Sequence, residues 1–267
     1  LYADPKLLQK LHPHIGRALL IDPNPAAARL LGDQLRSVGV RNLMFEPDER
    51  RALDLAAGAD PQLIFVERSG PRLDGEVFTR RLRRSDCSAR RAPVIMVTAD
   101  ATASTIKGAR DSGVHEFLRK PFTASDLLRR IEAVALTPRD WVEAVHYVGP
   151  DRRRFNSGQF TGARKRRADA KASAAESKAR ALDQALRILR AAISHYDNDP
   201  VQARRAMAEQ AALLRRSGVE TGSNLLTVAA GDLEEALALN GVTKSTLVGP
   251  ARQILRLFEI NAPEKAA

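Results

Sequence analysis

The chain has 267 residues, 44% of them hydrophobic, which is enough for two domains or one large one with a buried core and excludes a chain that is disordered throughout. A single cysteine, Cys87, excludes an internal disulfide; five scattered histidines offer no metal-ligand spacing, so no metal site is expected; and no apolar run approaches the roughly 20 residues that cross a bilayer. The formal net charge is +11, with 23 Lys and Arg against 18 Asp and Glu in residues 1–140 and 20 against 14 in the remainder, a field that favours anionic partners without confining them to one half. The opening LYADPKLLQKLHPH has neither the apolar region nor the small-residue cleavage site of a signal peptide, which points to a cytoplasmic protein without membrane insertion.

Residues 1–14 are read as an N-terminal extension. RALLI at 17–21 is a short apolar run ending at Asp22, and Pro25 then opens an amphipathic stretch that ends at Gly39: a strand, then a helix. RNLMF at 41–45 with DERRALDLAA at 48–57 repeats the unit, as does QLIFV at 62–66 with LDGEVFTRRLRR. VIMVT at 94–98 precedes TASTIKGARDSG, and HEFL at 115–118 leads through Lys120 and Pro121 into TASDLLRRIEAVAL, where Thr123 and Asp126 have the spacing of a capping box. Five such units predict an α/β fold, a (βα)5 doubly wound parallel sheet over residues 15–137.

In open sheets of this kind the ligand crevice lies at the carboxyl ends of the strands. Several polar residues fall there: Asp22 after the first strand, Glu67 after the third, Thr98 closing the fourth, and Lys120-Pro121-Phe122 after the fifth. That layout resembles the receiver domain of bacterial two-component response regulators. The resemblance implies that position 67 is the phosphoacceptor, ordinarily aspartate, that Thr98 and Lys120 are its hydroxyl and lysine partners, and that Phe117 is the aromatic switch. It also implies two adjacent acids after the first strand that help to hold magnesium.

The sequence departs from that pattern in the acid pocket. Asp22 is present, but Pro23 stands at the second acid position, and Glu67 at the acceptor position. Magnesium requires near-octahedral oxygen ligation, so magnesium binding is expected to be weak or absent and no other cofactor is implied. The expectation is a pseudo-receiver that does not take phosphate. Glu67 carries its carboxylate one methylene farther out than aspartate and would imitate the modified state, with Thr98 and Lys120 as its partners; the competing reading is an inert, partly buried Glu67–Lys120 ion pair.

From Trp141 the character changes, and residues 138–171 read as a basic flexible linker. Its cluster Arg164, Arg166 and Arg167, with Phe155 and Phe160 nearby, is a secondary candidate for nucleic-acid binding. Residues 172–260 are helical by pattern: Leu182, Leu186, Leu189 and Ile193 make one apolar stripe, DNDP at 197–200 stops the first helix, and further helices follow at about 200–216, 224–239 and 243–260, with a tail at 261–267. Amphipathic helices on short turns predict an all-α bundle. His195 lies at the end of its helix and lacks the flanking residues of a phosphotransfer histidine, and no nucleophile or nucleotide-binding motif appears, so an enzyme is not expected.

The run RRLRRSDCSARR at 80–91 carries six arginines, among which Arg80, Arg81 and Arg84 are candidates for anion binding, of a cyclic dinucleotide or nucleic acid; the commoner reading is a solvated helix face. Taken together, the sequence predicts a signalling protein that binds partners of a two-component pathway, with homodimerisation through the bundle as a further option. A response regulator phosphorylated at low efficiency and an arginine-rich nucleic-acid binder are the alternatives.

Overall fold

The structure, a computed structural model, describes residues 4–152 and 174–259. The described residues divide into two compact units, 4–142 with 147–152, and 143–146 with 174–259.

The first unit is built on a parallel sheet of order β2-β1-β3-β6-β7, comprising β1 (Arg17–Ile21), β2 (Asn42–Phe45), β3 (Leu63–Glu67), β6 (Val94–Thr98) and β7 (Glu116–Arg119). Between β3 and β6, the short strands β4 (Ser69–Gly70) and β5 (Leu73–Asp74) make a small antiparallel hairpin. Because strand side chains alternate, Ala18 and Leu20 face one layer while Leu19 and Ile21 face the other. The first layer is completed by α1 (Pro5–Ile15), α2 (Pro25–Ser37) and α6 (Ala124–Leu136), through Leu11, Leu35 and Ile131; the second by α3 (Glu49–Ala59), α4 (Gly75–Arg84) and α5 (Ala103–Ser112), through Ala56, Phe78 and Ala109. Each large apolar side chain so buried contributes about 1.5–3 kcal/mol.

The helices begin where the sequence supplies caps. Asn24, Asp48 and Asp74 each accept two backbone N–H groups at the first turn of α2, α3 and α4, and Thr123 with Asp126 closes the capping box of α6. Helix α1 lies in the stretch read as an extension: Asp4 caps it, Pro5 opens it, and Leu11 and Ile15 are fully buried against the sheet layer that also holds α6. Past α6, β8 (Trp141–Glu143) and β9 (Val148–Pro150) pair as a two-stranded ribbon. Gly113, at φ +97°, ends α5 where a Cβ would stand 2.7 Å from the Val148 carbonyl oxygen, so only glycine fits this turn.

The second unit is a bundle of α7 (Ala174–Ser194), α8 (Pro200–Thr221), α9 (Asn224–Ala238) and α10 (Lys244–Glu259), each packed on its chain neighbours, with α10 returning to α7. Asp199 and Pro200 start α8, and Gly222 at φ +70° ends it. The buried face of α7 is Ala185, Ile188, Leu189 and Ala192, with Tyr196 buried just past its end; of the expected stripe only Leu189 is fully buried, while Leu182, Leu186 and Ile193 are half-buried. Alanines in α8 and α9, including Ala203, Ala206, Ala229 and Ala230, are fully buried, and their small side chains let packed helices approach closely.

Candidate functional site

Four strands deliver the predicted site residues to one end of the sheet. β1 stops at Ile21, one residue before Asp22; β3 ends on Glu67; β6 ends on Thr98; and β7 stops at Arg119, one residue before Lys120. These ends surround an open cleft of about 660 Å³ lined by Asp22, Pro23, Glu67, Gly70 and Lys120.

Lys120 is the centre of the cleft. Its Nζ donates to Glu67 Oε2 at 2.5 Å and to Asp22 Oδ2 at 3.1 Å. The opposite oxygen of each carboxylate is held by backbone: Glu67 Oε1 accepts from the Arg68 N–H at 3.0 Å, and Asp22 Oδ1 from the Asn24 N–H at 2.8 Å. Burial alone would lower the Lys120 pKa, but the hydrogen bond and charge of Glu67, followed by those of Asp22, outweigh it and raise the value above the ordinary lysine range. One cation between two anions leaves this cluster one negative charge in excess. Pro23, where a second acid is expected, turns its ring onto Gly70, and a Cβ on Gly70 would fall 2.3 Å from Pro23 Cγ. The Lys120–Pro121 peptide is cis.

Thr98 is buried, and its hydroxyl oxygen accepts from the Asp100 N–H at 3.1 Å instead of bonding Glu67, so of the two expected partners of Glu67 only Lys120 is in place. Asp100 is in turn held by the Thr105 hydroxyl at 2.9 Å and the Thr102 N–H at 3.2 Å, and these bonds, the Thr105 one foremost, lower its pKa. Arg68, the residue after Glu67, reaches both Asp100 and Glu76 at 3.7 Å and so spans from β3 to the loop after β6. Arg68 and Asp100 carry no motif of their own in the sequence, where they stand only as an arginine next to Glu67 and an acid two residues after Thr98. Phe117 is 5% exposed, with its ring in the sheet layer that holds Met96 and Phe78.

The arginine run is organised differently from a solvated face. Arg80 pairs with Glu76 at 2.9 Å and Arg81 with Glu49 at 2.7 Å, while Arg84 also has an interaction partner. Arg83 is fully buried and donates to the carbonyls of Gly113 (3.0 Å), Arg90 (2.7 Å) and Ala92 (2.9 Å), with His115 Nδ1 at 3.1 Å. Burial pulls its pKa down to about 9, which still leaves it charged at neutral pH. Arg83, Arg90 and Arg91 lie 5.4, 5.9 and 5.3 Å from the centre of the Trp141 ring, within cation–π range. The reading of this run as a solvated face is therefore corrected at Arg83, whose head group is in the interior. Arg164, Arg166 and Arg167 lie outside the described residues. In the second unit His195 lies just past the end of α7, its ring edge-on to His146 at 4.5 Å between centroids.

Comparison with known proteins matches residues 18–132 to the response regulator receiver domain family. The DNA-binding dual master transcriptional regulator RpaA of Synechocystis is 32% identical over 118 residues, 44% of this chain and 48% of that protein. The transcriptional regulatory protein PdtaR of Mycobacterium tuberculosis is 32% identical over 124 residues, 44% of this chain and 56% of that protein. The chemotaxis protein CheY-3 of Vibrio cholerae is 26% identical over 118 residues, 44% of this chain and 90% of that protein. The chain thus spans about half the length of the first two of these relatives. Among solved structures, the receiver domain of a Pseudomonas aeruginosa sensor histidine kinase is 28% identical, with 46% of this chain and 99% of that one covered and a TM-score of 0.42. No helix among the described residues is long and apolar enough to cross a membrane. The parallel five-stranded sheet, the residues at its strand ends and these relatives together identify residues 18–132 as a response regulator receiver domain, followed by a helical region.

Proposed function

We propose that this receiver is a pseudo-receiver: a protein-interaction module of a two-component pathway that works without being phosphorylated. The observation that carries the reading is the Lys120 ammonium bonded to both Glu67 and Asp22, beside a proline ring in the place of the second acid. A phosphoryl group brings nearly two negative charges, and lysine and magnesium together offset them in phosphoryl transfer. Here the lysine is already shared between two carboxylates. The donor set fits magnesium poorly, because Pro23 offers no oxygen from its side chain and each remaining carboxylate has one oxygen on Lys120 and the other on a backbone N–H. The domain therefore has no chemical step to catalyse, and its output is a fixed surface. The Arg68–Asp100–Thr105 contacts hold the loop after β6, which supports a single resting arrangement rather than a switch.

The test is magnesium titration of the full chain with beryllofluoride, read by amide NMR shifts in residues 20–24, 67–70 and 98–102. Wild type is expected to give no saturable shifts at millimolar magnesium, while Pro23→Asp with Glu67→Asp responds. Saturable shifts in the wild type would overturn the proposal.

A further inference from the structure

Two surface features of the helical bundle lack a counterpart within the described residues. The first is on α9. Leu225, Val228, Asp232, Glu235 and Leu239 all face solvent, and their spacing of three, four, three and four residues places them on one stripe. The inner stripe of the same helix, Leu226, Ala229, Ala230 and Leu233, is buried in the bundle, so the outer stripe is a second seam rather than an edge of the core. Leu225 is 72% exposed, Val228 57% and Leu239 62%. Asp232 and Glu235 stand between these apolar ends and, unlike Glu234 with its partner Arg215, have no ion pair among the described residues.

The second feature is a groove of about 310 Å³ between α7 and α10. Ile193 and Leu255 supply its apolar part, and Arg190, Arg252, Arg256 and Glu259 its charge, three basic groups against one acidic. Arg190 is paired with Glu259 at 3.1 Å, whereas Arg252 and Arg256, one helical turn apart and exposed, have no ion pair among the described residues.

The stripe is apolar at both ends and acidic in the middle; the groove has an apolar floor and a basic rim. Two α9 stripes laid together would bring four carboxylates to the centre of the contact, and like charges there are repulsive. The stripe therefore calls for a basic seat. We propose that the occupant of the α7/α10 groove is the outer stripe of α9 from a second copy of this chain, with Asp232 and Glu235 against Arg252 and Arg256 and the flanking leucines and valine against Ile193 and Leu255. Each copy presents one stripe and one groove, so two copies exchange both contacts about a two-fold axis, or unreciprocated contacts close a larger ring or grow with concentration. This proposal is independent of whether the receiver takes phosphate.

The experiment uses the full chain and its molar mass by light scattering after size exclusion, from roughly 1 to 100 µM protein, the range that reports micromolar affinity. Wild type is expected to rise above monomer mass with concentration and to fall back at about 1 M salt, where charge contacts are screened. Arg252→Glu with Arg256→Glu, and separately Asp232→Arg with Glu235→Arg, are each expected to remain monomeric with unchanged helical circular dichroism, since all four positions are exposed. Mixing the two variants restores opposite charges at both contacts and is expected to recover the higher mass. A monomeric wild type, charge-reversed variants that associate as wild type does, or a mixture that stays monomeric would each overturn the proposal.

Discussion

At the carboxyl ends of the strands Lys120 lies between two carboxylates, Glu67 and Asp22, whereas at the amino ends of β6 and β7 Arg83 is held by neutral groups, three backbone carbonyls and His115. The first cluster opens to solvent, with the Lys120 side chain 29% exposed; the second is sealed, with Arg83 at 0%. A charge in an open cleft can exchange its partners for a ligand or a neighbouring protein. A buried charge satisfied by backbone carbonyls has no such freedom, and it ties together the ends of α4, α5 and the turn before β6. The receiver thus keeps its adaptable charges in the cleft at the strand ends and its fixed ones where the elements must be joined.

Removing the two cations should separate these roles by size. Arg83→Met leaves three carbonyls without their donor in the interior, and its cost is expected to be about 3–5 kcal/mol in urea unfolding of the full chain, read as the first transition if the two units unfold apart. A loss below about 1 kcal/mol would show that the cluster is not a structural tie. Lys120→Met is expected to cost only about 1–2 kcal/mol, because water reaches the two carboxylates left behind. Combining it with Glu67→Gln should recover part of that loss, which a double-mutant cycle measures.

The smallest effect is one of pH. His115 is half-buried, and the loss of solvent around its ring, followed by the charges of Arg83 and Arg139, holds its pKa well below the ordinary histidine range. Its Nδ1 accepts from the Val94 N–H at 3.2 Å and faces Arg83, so the neutral ring is the form that fits. Below about pH 6.5 the unfolded chain binds a proton at this position and the folded chain does not, so stability falls as pH drops, by up to about 1.4 kcal/mol per unit. Unfolding measured between pH 7 and 5 should show this slope in wild type and a shallower one in His115→Gln; equal slopes would place the titration elsewhere.

The elements of the receiver were legible because its strands are short apolar runs and its helices begin at Asn24, Asp48, Asp74 and Thr123, local features that need no tertiary information. The site positions were legible for the same reason, since Asp22, Glu67, Thr98 and Lys120 mark strand ends. Helix α1 was not, because Pro5, Pro13 and two histidines interrupt a pattern whose apolar positions, Leu7, Leu8, Leu11 and Ile15, acquire meaning only when a sheet layer covers them. The stripe on α7 was misjudged because alanine counts little toward an apolar face in sequence, yet it is what lets helices approach.

Sequence alone therefore determined the α/β order of the receiver, the helices of the second unit and the identities of the residues at the strand ends, because propensity, capping and hydrophobic period act over a few neighbouring residues. Only the tertiary structure decided which charges meet. It put Lys120 between Glu67 and Asp22, which lie 53 and 98 residues away in the chain, turned Pro23 onto Gly70, and drew Arg83 out of an exposed-looking run of arginines into the interior. Pairing and burial depend on distances between remote segments, and those distances exist only after the sheet has formed.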